Sequence, residues 1–406
     1  MPQGHNPSFL SRHAMDKQTV DALLASMVQS GEGVSDLLFT EGKPPLVGIH
    51  GRLKPFLIDT PDSLLTGKVI EEISDAVIGG NERLLTAFAE TGSCDSSYAV
   101  EGVARLRVNV YKQNGRRAIV MRKLQSAIPT LDNLQLSPVF REMVKEKNGI
   151  ILVTGASGSG KSTTLAAMIN ELNQTEEIHI LTLEDPIEFL HSHGRAVMSH
   201  RELGKDFPRF ADGLRAALRQ APRVILVGEI RDRETMEIAM TAAETGHVVF
   251  STLHTINAGQ TISRILGFFS REEEQQVRER LSETVRYIAS QRLVNTVNGG
   301  RSLITEIMGS NLRTRETIRC GESENKTFHE IIEAASGFGW HTFDQSLLKA
   351  REAGLITDET VMMYCTNKGA MRSRLDLLQK RTAGPSPEIS SGLKLHIPEK
   401  IVVTSE

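Results

Sequence analysis

The side chains most suited to chemistry lie in one glycine-rich segment, Gly155-Ala-Ser-Gly-Ser-Gly-Lys-Ser-Thr163. It follows an apolar run and precedes residues with helical apolar spacing, which is the context that the phosphate-binding pattern G-x-x-x-x-G-K-[ST] requires. Glycines allow successive backbone N–H groups to face a polyphosphate, and the helix N-terminus adds partial positive charge. Lys161 is expected to reach the outer phosphates, and Ser162 to bind a magnesium ion. The segment predicts binding of ATP or GTP, with phosphate contacts from Gly155, Ser157, Gly158, Ser159, Gly160, Lys161, Ser162 and Thr163.

Two apolar segments farther along the chain each end in acidic residues. Residues 178–183 lead into Glu184, and residues 224–227 lead into the segment that carries Glu229. In a doubly wound sheet the carboxyl ends of the strands line one crevice, so both carboxylates are expected near the glycine-rich loop. Glu229 is predicted to polarise the attacking water, and Glu184 to support the magnesium ion or to position that water. The predicted catalytic residues are Glu229, Glu184 and Lys161, and the predicted metal-binding residues are Ser162, Glu184 and Glu229. The alternative is that these carboxylates only cap the helices that follow, which applies to Asp185 and Glu188 and less to Glu229.

Histidines bracket the next apolar segment, residues 248–253. His254 follows its carboxyl end, beside the predicted phosphate site, and His247 precedes its other end. A histidine that follows the carboxyl end can hydrogen-bond a γ-phosphate and so report which nucleotide is bound. The alternative is a purely structural histidine. His254 is therefore the predicted nucleotide sensor. Three further histidines are predicted to lie on a surface loop without forming a metal site, namely His191, His193 and His200.

The composition is that of an ordinary soluble globular protein. The 406 residues include 47 basic and 50 acidic side chains, for a formal net charge of -3. This balance supplies no overall positive field, so the sequence predicts no binding of nucleic acid. Three widely separated cysteines exclude a disulfide framework and fit a reducing cytoplasm. Apolar stretches are too short to cross a bilayer, so no transmembrane segment is predicted.

The periodicity of apolar residues predicts five regions. Residues 1–15 lack a sustained period and are predicted to be a flexible N-terminal arm. Residues 16–127 combine amphipathic helices with short β-branched runs, as in a small α+β domain, and residues 128–134 form a linker. Residues 135–370 alternate strands with helices, which predicts a parallel, helix-covered sheet followed by C-terminal helices. Residues 371–406 begin with a basic run and are predicted to be a disordered tail. The predicted strands are 37–39, 46–49, 97–100, 103–110, 118–122, 149–153, 178–183, 224–227, 248–253 and 302–307.

Taken in chain order, these motifs resemble those of the secretion ATPase superfamily, and most closely those of the type IV pilus retraction ATPases of the PilT and PilU kind. Besides the glycine-rich loop, the resemblance rests on residues 183–189, 214–219, 225–232, 242–250 and 252–255. It implies an α/β protein with a RecA-like P-loop ATPase domain, preceded by a small PAS-like α+β domain. It also implies hydrolysis of ATP with Mg²⁺, and a homo-hexamer with nucleotide at the seam between subunits.

The same resemblance implies that four arginines complete the nucleotide site. Arg107 and Arg122, on predicted strands of the N-terminal domain, match arginines that reach the phosphates in that family. A guanidinium that closes on the γ-phosphate neutralises charge in the transition state, and its movement with the domain couples hydrolysis to rotation. Arg215 and Arg219 are four residues apart, so on a predicted helix they share one face, where the family contacts a neighbouring subunit or its nucleotide. Ordinary exposed surface positions are the alternative for Arg107 and for this helical pair.

The function that the resemblance implies is a motor for type IV pilus retraction, which disassembles pilin and drives twitching motility. Such a motor is expected in the cytoplasm, peripheral to the inner membrane, docked on the platform protein of the pilus. Residues 312–322 match the family's retraction segment only in part. Three alternatives therefore stay open: an accessory PilU-like partner of a paralogous pilus ATPase, a type IV secretion or conjugation ATPase, and a non-motor regulatory protein that binds nucleotide.

Overall fold

The structure, a computed structural model, describes residues 15–57, 64–324 and 326–382. The chain separates into two compact units, Met1–Leu293 with Leu303–Thr342, and Val294–Ser302 with Phe343–Glu406. The linker predicted at residues 128–134 does not divide these units, so the predicted domain boundaries remain a proposal from the sequence.

The first part of the chain forms a six-stranded sheet with three helices. Its elements are α1 (Lys17–Gln29), β1 (Val34–Phe39), β2 (Leu46–Ile49), β3 (Arg52–Pro55), α2 (Gly67–Ile78), α3 (Glu82–Thr91), β4 (Ser93–Val100), β5 (Ala104–Gln113) and β6 (Arg116–Lys123). The strand order is β3-β2-β1-β6-β5-β4, and neighbouring strands are antiparallel. The three helices begin after Asp16, Thr66 and Asn81, whose side chains each accept a hydrogen bond from a backbone N–H of the first turn.

A seven-stranded sheet follows, in the order β13-β12-β7-β11-β10-β8-β9. Its elements are α4 (Val139–Val144), β7 (Gly149–Thr154), α5 (Lys161–Thr175), β8 (His179–Glu184), β9 (Val197–Glu202), α6 (Phe210–Ala217), β10 (Val224–Val227), α7 (Arg233–Glu244), β11 (Val248–Leu253), α8 (Ala258–Leu266), α9 (Glu274–Thr284), β12 (Val285–Asn295), β13 (Arg301–Gly309), α10 (Leu312–Cys320) and α11 (Phe328–Glu333). The pairings from β12 to β9 are parallel. Strands β7, β10 and β11 are buried at every position, as expected when helices cover both faces of a parallel sheet. The predicted α/β fold, with a smaller α+β part before it, is confirmed.

Four strands of this sheet end side by side. Val227 of β10 lies opposite Leu183 of β8 and Ser251 of β11, and Leu253 of β11 lies opposite Thr154 of β7. The residues that follow these strand ends are therefore presented along one edge of the sheet, where doubly wound proteins bind their ligands.

The structure differs from the sequence prediction in several elements. Strands β3, β9 and β12 were not predicted. Helix α6 ends at Ala217, so Arg219 lies in the turn beyond it and does not share a helical face with Arg215, contrary to the prediction. The tail was predicted to begin at residue 371, but α14 (Lys368–Thr382) is helical through that point. Residues 383–406 and residues 1–14 of the predicted arm lie outside the described part of the chain.

The second unit contains α12 (Phe343–Glu352), α13 (Asp358–Tyr364) and α14. Asp344 of α12 is buried, and its carboxylate accepts hydrogen bonds from the backbone N–H groups of Thr366 (2.6 Å) and Asn367 (3.0 Å). These bonds join α12 to the segment between α13 and α14. In either unit, no helix within the described residues has both the length and the apolar character needed to cross a membrane.

Candidate nucleotide-hydrolysis site

The glycine-rich loop joins the end of β7 to the start of α5. Gly155 has a φ of +146°, and a Cβ built there would lie 2.5 Å from Ser159 Oγ and 2.6 Å from the backbone oxygen of Gln291. Gly160, at a φ of +90°, directly precedes Lys161, the first residue of α5. Because side chains would strain these backbone angles, the shape of the loop depends on both glycines. The positive end of α5 is thereby placed against the loop, as a phosphate site requires.

Lys161 lies under the loop, with only 8% of its surface exposed. Its Nζ donates hydrogen bonds to the backbone oxygens of Gly155 (2.9 Å) and Ala156 (3.0 Å). Desolvation lowers the pKa of Lys161, while the charges of Glu229 and Glu188 oppose that change. The ammonium group is therefore held inside the loop, at the place where this motif binds phosphates.

A cavity beside the loop is lined by side chains suited to magnesium. Ser162, Glu184 and Thr252 all line it. Magnesium takes hydroxyl, carboxylate, water and phosphate oxygens, with only one or two carboxylates from the protein. Close by, Ser159 Oγ is buried without a hydrogen-bond partner in the described part of the chain. The residues of this region therefore fit a nucleotide whose phosphates share a magnesium ion with the protein.

Glu229 follows β10 and faces His254, which follows β11. The Glu229 carboxylate pairs with Arg231 and lies 3.7 Å from Nε2 of His254. Desolvation and the charge of Lys161 lower the pKa of His254, whereas Glu229 acts in the opposite direction. The structure thus brings Glu229, His254 and Lys161 into one electrostatic cluster, with His254 favoured in its neutral form.

Two of the three histidines predicted on a surface loop, His191 and His200, are enclosed near Glu184. His200 lies on β9, with Nδ1 3.0 Å from Thr182 Oγ1 and 3.9 Å from Glu184 Oε1. The ring of His191 stacks on His200 with centroids 5.8 Å apart. Burial, and then the charge of His200, lowers the pKa of His191 to about 4. The surface prediction is wrong for His191 and His200, because β9 adds to the sheet and encloses them, whereas His193 is exposed.

One predicted arginine of the N-terminal sheet, Arg107 on β5, interacts electrostatically with the acidic segment after β8. Desolvation raises the pKa of Asp185, and the guanidinium groups of Arg231, Arg107 and Arg83 counteract that rise. Three positive groups therefore act electrostatically on the residue that follows Glu184.

The other predicted arginines have different surroundings. Arg122 Nε donates to Asp36 Oδ1 at 2.9 Å, within the N-terminal sheet. Arg215 Nη2 donates to Glu234 Oε1 at 2.6 Å. Arg219 is exposed in the turn after α6. Arg122 and Arg215 are thus engaged by carboxylates outside the glycine-rich loop of their own chain.

One residue that contacts the loop was missed in the sequence. Gln291 of β12 approaches Gly155 through its backbone oxygen, and its Nε2 donates to Thr164 Oγ1 at 2.8 Å. Its side-chain oxygen is buried without a partner among the described residues. Only the pairing of β12 with β7 reveals this contact, and no motif in the sequence marked it.

A parallel sheet in which one strand leads into a phosphate loop, with carboxylates at the ends of two neighbouring strands, defines a RecA-like P-loop ATPase. The sequence model of the family described as "Type II/IV secretion system protein" matches residues 99–341. The chain belongs to this family, and within it to the PilT- and PilU-like secretion ATPases. It is accordingly an ATPase that binds nucleotide.

Several relatives match over most of their length. The chain is 39% identical to the type IV pilus retraction ATPase PilT of Pseudomonas aeruginosa, over 81% of this chain and 93% of that protein. It is 35% identical to the type IV pilus ATPase PilU of the same organism, over 93% of this chain and 96% of that protein. A crystal structure of the pilus retraction motor PilT with bound ADP has a TM-score of 0.77 and 41% identity, covering 86% of this chain and 99% of the other. The ATPase DotB of Legionella pneumophila has a TM-score of 0.75 and 29% identity, covering 88% of this chain and 97% of the other.

Proposed function

We propose that the protein is a motor that hydrolyses ATP to power retraction of type IV pili, by disassembly of pilin, in twitching motility. The observation that carries this proposal is the complete set of Lys161, Glu184, Glu229 and His254 at one sheet edge, in a chain similar to PilT over 81% of its length. We further propose that it acts as a homo-hexamer in the cytoplasm, at the periphery of the inner membrane, docked on the pilus platform protein. No nucleic-acid partner is proposed.

The proposed roles follow from the surroundings of each residue. Residues 155–163 bind the phosphates through backbone N–H groups and Lys161. A magnesium ion held by Ser162 and Glu184, with Glu229 close by, supplies charge stabilisation for the phosphates when it is bound. Glu229 accepts a proton from, or orients, the attacking water, and its ion pair with Arg231 holds the carboxylate beside His254, whose Nε2 lies 3.7 Å away. Arg107 adds positive charge at the acidic segment.

A PilU-like accessory role is the second candidate. The match to PilU extends over 93% of this chain, against 81% for PilT. In that role the protein would act on a pilus together with a paralogous ATPase. A type IV secretion or conjugation ATPase is the third candidate, and it rests on the sequence motifs alone. A non-motor regulatory protein would have little need for a carboxylate in the position of Glu229.

The test combines motility with enzymology. Glu229→Ala is introduced into the chromosomal copy, and twitching, pilus retraction and the ATPase rate of the purified proteins are measured. We expect loss of retraction and a fall in kcat of about a hundredfold or more, since this group acts only on the reacting water. Glu272→Ala, which removes an exposed carboxylate, is the matched control and should behave as wild type. Normal retraction in the Glu229→Ala strain would favour the accessory role, and a wild-type protein without ATPase activity would favour the regulatory one.

A further inference from the structure

The N-terminal sheet contacts the edge of the ATPase sheet through one buried carboxylate, Glu202. This residue ends β9 and is only 4% exposed. Ser97 of β4 donates its hydroxyl to the two carboxylate oxygens, at 2.7 and 3.0 Å. Lys205 Nζ lies 2.8 Å from Oε1, and Arg105 Nη2 of β5 lies 3.6 Å from Oε2. The carboxylate therefore joins strands of the N-terminal sheet to the last strand of the ATPase sheet.

Glu202 is held in its charged form. Burial acts to raise its pKa, but hydrogen bonds from Lys205 and Ser97, and from the backbone N–H of Ile187, bring the pKa below its ordinary value. A buried carboxylate that is charged and bound by several donors is a rigid group, because the loss of a partner leaves part of its charge uncompensated.

The partners of Glu202 belong to the two parts of the proposed site, the acidic segment after Glu184 and the strand pair that carries Arg107. The N–H of Ile187 donates to Oε2 at 3.3 Å, and Ile187 comes three residues after Glu184. In the β4–β5 pair, Ser97 lies directly opposite Arg107. One carboxylate thus holds the acidic segment from one side and the strand pair that carries Arg107 from the other.

A second contact fixes the same junction. Gly204, two residues beyond Glu202, has a φ of +80°, and a Cβ built there would lie 2.2 Å from Cζ of Arg83. The guanidinium of this α3 residue therefore lies directly against the backbone of the loop after β9. The charges of Arg83 and Arg107 both act to lower the pKa of Asp185. The contact of Arg83 with Gly204 therefore also affects the acidic segment.

We propose that Glu202 is a positioning residue for ATP hydrolysis, which, through Ser97 and the N–H of Ile187, sets Arg107 of the N-terminal sheet against the Glu184 segment. Glu202 does not touch the nucleotide in this arrangement. It determines where a positive charge from one sheet stands relative to the carboxylates of the other, so its effect on hydrolysis is transmitted by Arg107. The proposal rests on the proposed site for hydrolysis, and not on which pilus process that hydrolysis drives.

A double-mutant cycle on the full-length protein tests this role. Ser97→Ala removes the hydroxyl bond from β4 to Glu202 and leaves the buried charge and its Arg105 contact in place, and Arg107→Ala removes the group that is positioned. We expect Ser97→Ala to lower kcat by about three- to tenfold, with less than about a twofold change in KM for ATP. In the Arg107→Ala background, the same change should cause less than about a twofold further loss, because the positioned group is gone. Ser97→Thr keeps the hydroxyl and should retain most of the wild-type rate, and Ser96→Ala, on the neighbouring position of β4, should be neutral.

Three results would overturn the proposal. One is a double variant whose kcat falls by the product of the losses in the two single variants, which would mean that Ser97 only stabilises the fold. Another is an unchanged kcat in Arg107→Ala. The third is independent of activity: amide hydrogen exchange of residues 184–190 and 104–110 should become faster in Ser97→Ala and in Glu202→Gln, and unchanged exchange would contradict the link. Failure of the pilus proposal is distinguishable, because it is read from motility of the Glu229→Ala strain and leaves this cycle intact.

Discussion

His191 is an imidazole enclosed beside the proposed magnesium ligands, where it stays neutral. It is 7% exposed, lines the same cavity as Ser162 and Glu184, and its Nδ1 is without a hydrogen-bond partner among the described residues. Protonation would place a charge in this enclosed space, which is why its pKa is about 4. A neutral ring here adds no positive charge beside the proposed magnesium ligands.

This pKa makes the stability of the fold depend on pH. The pKa of His191 falls from 6.5 to about 4 on folding, so between these values the unfolded chain binds more protons than the folded one. The stabilisation is fully present above about pH 6.5 and is lost as the pH falls toward 4. We expect the wild type to lose about 2 kcal/mol more than His191→Gln between about pH 7.5 and pH 5, measured by urea unfolding with the single tryptophan, Trp340, as reporter.

The control is His193→Gln, since His193 is exposed and two residues away. It should keep the pH dependence of the wild type. Equal losses in wild type and His191→Gln would contradict the neutral state of His191.

At the level of single residues, the sequence predicted the phosphate loop and the two carboxylates because each stands at a fixed distance from an apolar strand. It did not predict the roles of His191, Gln291 or Glu202. The importance of His191 comes from its burial, and that of Gln291 and Glu202 from partners more than ten residues away, Thr164 and Ser97. A motif records local spacing, and such contacts exist only once the sheets have formed.

The loop between β7 and α5 is the element on which nucleotide binding depends. Gly155→Ala is expected to weaken binding of a fluorescent ATP analogue by more than about tenfold, because the added Cβ would lie 2.5 Å from Ser159 Oγ and 2.6 Å from Gln291 O. The circular dichroism spectrum should stay that of the wild type, since the strand and helix themselves are not altered. Gly102→Ala is the matched control: its φ is +69° and no atom lies within 4 Å of the added Cβ, so it strains the backbone alone. Normal nucleotide binding by Gly155→Ala would show that the loop adopts another shape.

Whole elements were predictable where burial is uniform. The apolar runs of β7, β10 and β11 gave these strands correctly, since parallel strands covered on both faces carry few polar residues. Strand β9 escaped prediction because it contains Ser199, His200, Arg201 and Glu202, whose side chains look like those of a loop. Ser199 and His200 find partners on β8, and Glu202 finds one on the N-terminal sheet, which a local pattern cannot register.

For the molecule as a whole, the positions of the arginines bear on assembly. Arg122 and Arg215 are paired with carboxylates of their own chain, whereas Arg219 is exposed in the turn after α6. In the proposed ring of six chains of 44.7 kDa, with a mass of about 270 kDa, an exposed turn of this kind could contact a neighbouring subunit. We therefore propose that Arg219 completes the phosphate site of the adjacent chain, as arginines supplied in trans do in other phosphoryl-transfer enzymes.

Mixed assemblies test this arrangement directly. Lys161→Ala chains cannot use their own site but still present Arg219, and Arg219→Ala chains have an intact site but present no arginine. Each variant alone should be nearly inactive, whereas co-expressed chains in equal amounts should regain about a quarter of the wild-type ATPase rate, since about one seam in four pairs an intact donor with an intact site. Co-expression of Lys161→Ala with Glu229→Ala should restore no activity. Each variant is defective in its own hydrolysis site, so no chain in the mixture has an intact site. Failure of the first mixture to recover, with assembly of about 270 kDa confirmed by mass photometry, would mean that Arg219 acts within its own chain or not at all.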